Sequence, residues 1–330
     1  MPAAASQAAD QPETAAGVRM MRAGYSTSSP VELSEQARRT DALPAGALAV
    51  VYPDIGEPYR SIFAKIIEGI EDNARSAVRN YPISPNIDPA ELGAQLKRNG
   101  TKVVIALGRQ GLKATAGLDI PVIAGGVMAL PASESRTVSG ISLTPDPTLL
   151  FSRLKMLLPN VKRVLAVYNP QHNDWLIRIA REAARAHGLE LVTYEAHDLG
   201  SAVRLYETAF ASSDSRRDAL WLPQDVTTVD ETTILPLVLK ESWNRNVPVF
   251  SSSFLHVKKG ALFSLYPNNV ELGRTLASSA LAAATGETRR VGVLPLREVH
   301  TAVNLRTASH IGLNISYQQQ RSFDFVFPEP

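Results

Sequence analysis

Four strand-like runs end on residues able to hold a small polar guest. ALAVVYPD carries Tyr52 and Asp54 at its end, and KVVIAL runs into Gly108-Arg109-Gln110. DALWLP leads to Gln224-Asp225, and VPVF to Ser251-Ser252-Ser253. A guanidinium at Arg109 clamps a carboxylate or phosphate through paired N–H bonds, or else stays in solvent. The Asp225 carboxylate receives an ammonium, or caps the helix that follows from Thr227. Ser251 and Ser252 offer hydroxyls and backbone N–H groups at a helix start to a carboxylate, or simply cap that helix. Gly108 suits a tight turn with close backbone approach. Tyr168 and Asn169 end the run RVLAVYN, and Tyr266 lies near the end of GALFSLYP. Tyrosines at such ends contact a ligand or pack in a core or hinge.

Enzymatic chemistry finds no comparable foothold. The six histidines (172, 187, 197, 256, 300 and 310) show no HExxH or close metal-ligand spacing. There is no GxSxG elbow, no GxGxxG after the first strand and no GxxxxGK[ST]. Cys is 0, which removes disulfides, thiolate metal sites and cysteine nucleophiles together. The expectation is a binding protein without catalytic residues, metal or cofactor.

Composition narrows the partners. Lys+Arg 34 against Asp+Glu 32 leaves a formal charge of +2, and aromatics are only 6%. Neither a nucleic acid nor an anionic membrane surface is suggested by that balance. No run approaches the roughly 18 apolar residues of a membrane span, so no direct membrane insertion is expected. The start MPAAASQAADQPETAAG lacks a basic segment followed by an apolar one, so no signal peptide is visible. Either the chain is cytoplasmic or it begins after a removed leader.

The elements that position these residues are legible as alternation. Short apolar runs alternate with longer segments of helical period, the pattern of parallel sheets covered by helices, in which ligands bind beyond the carboxyl ends of the strands. Residues 1–45, rich in Ala, Ser, Gln and Thr, read as a flexible lead-in. A first βα series begins at ALAVVYPD, with a helix predicted over SIFAKIIEGIEDNARSAV and a proline-broken loop at Ser84–Pro89. SRTVSGISLTPDP then leads to a second series from RVLAVY to VPVF. The long helix VELGRTLASSALAAATG makes sense if the chain has crossed back, with LPLREVHTAVNL as the next crossing. The expected division is 46–142 plus 267–293 as lobe 1 and 143–266 plus 294–330 as lobe 2. The fold class is therefore α/β: two Rossmann-like lobes, each a parallel sheet flanked by helices, joined by a multi-crossing hinge.

Four stretches in order carry a resemblance: LLPNVKRVLAVYNP, DALWLPQD, VPVFSSSFLHVKKGALFSLYPNNVELGRTLA and VNLRTASHIGL. With them the chain resembles the type I periplasmic substrate-binding proteins of ABC transporters, in the branch that includes aromatic amino-acid uptake proteins. That resemblance implies a clamshell that binds a small-molecule ligand, an amino acid or similar, in the periplasm or otherwise outside the cytoplasm, with ABC permease subunits as partners. A sensory protein signalling to a receptor or kinase, or a cytoplasmic effector-binding domain, is the alternative. Two departures fall on the ligand side of lobe 1. Gly108-Arg109-Gln110 stands where the family has a Thr-Gly-Thr-like turn, and Gly125-Gly126-Val127-Met128 where it often has Asp-Pro. Gly126 joins the candidate site on that ground.

Overall fold

The computed structural model of the protein describes residues 44–74, 76–128, 138–286 and 292–328. All but the last two positions of the expected lead-in lie outside them. The chain runs β1 (Leu48–Pro53), α1 (Tyr59–Ala74), β2 (Arg79–Ile83), α2 (Pro89–Arg98), β3 (Val103–Leu107), α3 (Gly108–Thr115), β4 (Val122–Val127) and β5 (Ser139–Pro145). It continues through α4 (Pro147–Leu157), β6 (Arg163–Tyr168), α5 (Pro170–Ala186), β7 (Glu190–Glu195), α6 (Leu199–Ala211), β8 (Asp218–Leu222), α7 (Ile234–Arg245), β9 (Val249–Ser251), α8 (Phe254–Lys259) and β10 (Phe263–Pro267). It closes with α9 (Asn269–Ala284), β11 (Gly292–Leu296), β12 (Val299–Asn304), α10 (Leu305–His310), α11 (Tyr317–Gln320) and β13 (Phe325–Phe327).

These strands form two sheets, ordered β11-β5-β4-β3-β1-β2 and β13-β12-β10-β9-β8-β6-β7. The two-lobe α/β fold class is therefore what the chain adopts. Within each sheet the first five strands of the series follow one order, second-first-third-fourth-fifth, the doubly wound pattern with a switch point between the first and third. Alternation along a strand supplies both faces. In β6, Val164, Ala166 and Tyr168 enter one core with Trp221 and Phe151, while Leu165 and Val167 enter another with Leu220 and Phe210. In β1, Leu48 and Val50 meet α1 and α9, while Ala49 and Val51 meet Leu92 and Leu96 of α2. Burying each such Leu, Val or Phe stabilises the fold by about 1.5–3 kcal/mol.

Two strands correct the sequence reading. The helix predicted to run to Val78 stops at Ala74, and Arg79–Ile83 pairs with β1 as an edge strand. Its composition, RNYPI, hides it: an edge position tolerates Pro82 and needs no apolar run. At an edge of the second sheet, β13 pairs parallel to β12.

The crossings explain the strand directions. β5 is parallel to β4 and its carboxyl end, Pro145, leads at once into α4 against the second sheet. β10 is parallel to β9 and its carboxyl end, Pro267, leads into α9 against the first. β11 ends at Leu296, and two residues later β12 enters the second sheet from that same side, so it must run antiparallel to β10, as it does. The carboxyl ends of both sheets are thus directed toward the crossings. The three crossings are also bonded together. Asp146 N–H donates to the Leu296 carbonyl at 2.8 Å and Asn268 N–H to the Glu298 carbonyl at 2.9 Å. Arg297 pairs with Asp146 at 2.6 Å. Asp146 and Asn268 also cap α4 and α9, so the first two crossings turn directly at a helix N-cap.

Candidate functional site

At the switch point of the second sheet, between β6 and β8, one carboxylate organises the loops. Asp225 Oδ2 accepts from Asn169 N–H at 2.7 Å and Asn173 Nδ2 at 2.8 Å. Its Oδ1 accepts from the N–H groups of Thr227 at 2.9 Å and Thr228 at 3.2 Å. These four donors fill the roughly four lone-pair positions of a carboxylate. Asp225 is 5% exposed, so no water relieves that arrangement. In this arrangement Asp225 takes the capping role that the sequence offered beside ammonium binding, and it clamps the β8 loop to the start of α5. Asn169 is buried too, capping α5 through Gln171 N–H and donating Nδ2 to Thr227 Oγ1 at 3.2 Å.

Tyr168 is likewise a core residue. Its side chain lies in the cluster around Trp221, and its hydroxyl donates to Glu195 Oε1 at 3.0 Å. Burial, then the bond to the Glu195 carboxylate, raises its pKa.

Beyond β9, Ser251 Oγ sits 2.7 Å from His256 Nδ1 and accepts from Ser253 N–H at 3.1 Å. A neutral imidazole accepting from the serine satisfies both contacts. Burial pushes the His256 pKa down to about 4, with Glu231 opposing and Lys259 assisting. Next to this pair, Ser252 is 1% exposed and its hydroxyl has no hydrogen-bond partner among the described residues. The Tyr266 hydroxyl, at the end of β10, is likewise buried without a partner among the described residues, and burial followed by the Asp324 charge pushes its pKa up to about 12. Its ring packs on Phe254 and beside His300.

In the first sheet the glycine loops converge on one ring. Gly108 has φ +70° and Gly126 φ +66°, and a Cβ on either would come 3.2 Å from Phe63 of α1. Both positions therefore require glycine for conformation and for space. Tyr52 and Asp54 line a hollow of about 340 Å³ with Arg60, Phe63 and Glu71. Burial, then Asp54 and Glu71, raises the Tyr52 pKa. Arg109 is exposed and lines a separate hollow of about 750 Å³ with Gln110 and Lys113. The residues proposed from lobe 1 thus fall into two neighbouring places rather than one.

Sequence reasoning did not foresee Thr144, nor that Met128, Gln224 and Ser252 join the two sheets through it. The Met128 carbonyl, just past β4, accepts from Ser142 Oγ at 2.6 Å and Thr144 Oγ1 at 3.1 Å. Thr144 Oγ1 also lies 3.4 Å from Gln224 Oε1, and Gln224 Nε2 donates to the Ser252 carbonyl at 3.3 Å. The signal available was only Thr144 beside Pro145, a polar residue ending an apolar run. Exposed apolar side chains stand near the same strand ends: Tyr59 and Met128 from the first sheet, Val226 (82% exposed) and Leu255 from the second. Among the described residues no group of His, Asp and Glu is placed to hold a metal ion, and no helix is long and apolar enough to cross a membrane.

Comparison with known proteins gives this arrangement a context. No curated protein matches the sequence. A structure from Streptococcus pneumoniae, described as an ABC domain in complex with L-Trp, aligns with a TM-score of 0.54 at 19% identity, covering 86% of this chain and 100% of that one. The ligand-free, open structure of a substrate-binding protein with adhesive properties from Clostridium difficile aligns with a TM-score of 0.61 at 17% identity, covering 84% and 98%. A periplasmic ribose ABC transporter structure from Conexibacter woesei gives 0.50 at 14% identity, covering 84% and 97%. At such identities these likenesses show the type I periplasmic-binding-protein fold and no more. The sequence profile described as ABC transporter substrate binding protein matches residues 52–320, most of the chain, and the protein therefore belongs to the ABC transporter substrate-binding protein family, a family of solute-binding proteins rather than enzymes.

Proposed function

We propose that this chain is an extracytoplasmic solute-binding protein that captures a small molecule, an amino acid or similar, between two lobes and presents it to the permease of an ABC importer. The observation that carries the reading is topological: the carboxyl ends of the parallel strands in both sheets are directed toward the same three crossings, which supports a single gap bordered by loops of both sheets. The two halves are those expected from the sequence with their bounds moved to the ends of β5, β10 and β11, so that residues 46–145 plus 268–296 act as lobe 1 and residues 146–267 plus 297–330 as lobe 2, with the bonded crossings as hinge. A guest touching both halves gains contacts only when they approach, and that differential affinity favours the closed state. No chemical step or cofactor enters the cycle.

The side chains favour a guest with an apolar body and polar ends. Tyr59, Met128, Val226 and Leu255 offer apolar surface. Arg109 offers a cation to a carboxylate, and Asp54, exposed and without a side-chain hydrogen bond among the described residues, replaces Asp225 as the partner for an ammonium. Backbone N–H groups near Gly108 and Gly126, with the Ser251–Ser252 segment and Tyr266, complete the proposed lining. The Streptococcus pneumoniae neighbour is described with L-Trp, which makes aromatic amino acids the first compounds to try.

A thermal-shift panel of amino acids, short peptides and organic acids tests the proposal. A ligand at about 100 times its Kd adds about 2.7 kcal/mol of stability and raises Tm measurably. A panel with no hit at millimolar concentrations, together with an unaltered interlobe distance, argues against solute capture.

A further inference from the structure

We propose that Thr144 and Gln224 form a latch setting the separation of the two lobes, with Gln224 as its positioning residue. This rests on the two-lobe reading above. The contacts run unbroken from one sheet to the other: Met128 carbonyl to Thr144 Oγ1 (3.1 Å), Thr144 Oγ1 to Gln224 Oε1 (3.4 Å), Gln224 Nε2 to Ser252 carbonyl (3.3 Å). The orientation of the Gln224 amide follows from its partners. Turned over, it would set its oxygen against the Ser252 carbonyl, acceptor against acceptor.

The Thr144 hydroxyl has one proton and two acceptors, so it serves Met128 or Gln224 but not both at full strength. Turning toward Gln224 leaves the Met128 carbonyl with Ser142 as donor at 2.6 Å. Turning toward Met128 leaves Gln224 Oε1 with no donor among the described residues. The exchange is therefore cheap on the lobe 1 side and unfavourable on the lobe 2 side, and the longest link in the chain is the one that spans the gap. The Gln224 backbone is held in turn, because Asn173 Nδ2 donates to its carbonyl at 3.2 Å while also bonding Asp225. Lobe separation is thus coupled to both ligand-side loops of lobe 2, the Gln224–Asp225 segment and Ser252.

A consequence for the guest follows. A molecule that brings its own N–H or O–H donor to Gln224 Oε1 replaces Thr144 and releases that proton to Met128 without leaving an acceptor bare. One that offers only acceptors does not. The latch therefore favours donor-bearing guests, such as those with a hydroxyl or ammonium group.

The chain has no cysteine, so Lys97→Cys with Arg185→Cys, both exposed and one on each side of the crossings, takes two spin labels cleanly. Pulsed dipolar spectroscopy of the full chain without ligand then reports the interlobe distance. Thr144→Val and Gln224→Met should each lower the population at the separation seen here by about fivefold, the equivalent of one hydrogen bond. Thr144→Ser, which keeps the hydroxyl, should retain it, and the Val/Met double variant should do no worse than either single. Distributions for both single variants that superimpose on the parent would overturn the proposal, as would a Thr144→Ser shift as large as that of Thr144→Val. No ligand is present, so this result stands apart from the outcome of the thermal-shift panel.

Discussion

Replacing Asp225 by alanine should cost stability first and affinity only in consequence. The change strips the acceptor from four donors: the N–H groups of Asn169, Thr227 and Thr228, and Nδ2 of Asn173. A buried donor left unpaired costs about 1–3 kcal/mol. Asn173 Nδ2 keeps its bond to the Gln224 carbonyl, and the half-buried Thr227 can reach water, so the full sum is not incurred. A net loss of about 3–5 kcal/mol is expected, in the range of a broken buried network. With a urea m-value of about 3 kcal/mol per molar, the midpoint falls by about 1–1.7 M. The assay is convenient because Trp175, Trp221 and Trp243 all lie between β6 and β9, so tryptophan fluorescence follows the second sheet and its helices. Asp225→Asn keeps one acceptor but turns an amide N–H toward existing donors, and should lose about half as much. If Asp225→Ala unfolded at the parent midpoint yet abolished binding of an ammonium-bearing ligand, the structural role argued here would be wrong and the carboxylate would face the guest.

Three further outcomes are expected. Gly69→Ala and Gly273→Ala should each severely destabilise the α1–α9 contact, because a Cβ would lie 1.9 Å from the Val270 carbonyl oxygen or 2.0 Å from that of Ile66; the roughly 1 kcal/mol gain in helix propensity cannot offset a backbone displacement costing about 3 kcal/mol, and a melting temperature lowered by several degrees checks it. For pH, burial holds His256 at about 4, below its ordinary 6.5, so the unfolded chain binds more protons between those values. The stability it contributes is complete above pH 6.5 and is lost as pH falls through about 4, on the order of 3 kcal/mol. His256→Asn, whose oxygen takes the place of Nδ1 toward Ser251, should flatten that part of the urea-midpoint profile. Arg109→Met should weaken a carboxylate ligand about tenfold or more by calorimetry while leaving the ligand-free melting temperature unchanged, since its side chain is exposed.

The sequence by itself determined the layout. VVIAL, RVLAVY and DALWL are apolar on both alternating faces because helices cover both sides of a parallel sheet, so their strands and the loops ending them are legible one segment at a time. Tyr52, Asp54, Arg109, Asn169, Asp225 and Ser251 all stand at strand ends for that reason. RNYPI and Phe325–Phe327 were not legible, because an edge strand needs neither an apolar run nor freedom from proline. What each polar residue does was decided only in three dimensions. Asp225 is filled by donors from residues 169, 173, 227 and 228, whereas Asp54, also a carboxylate at a strand end, is exposed and has no side-chain hydrogen bond among the described residues. Position along the chain shows that a carboxylate reaches a loop. Thr227 and Thr228 fill one oxygen from within the same loop, but the other is filled by Asn169 and Asn173, more than fifty residues away, which only the fold brings onto it.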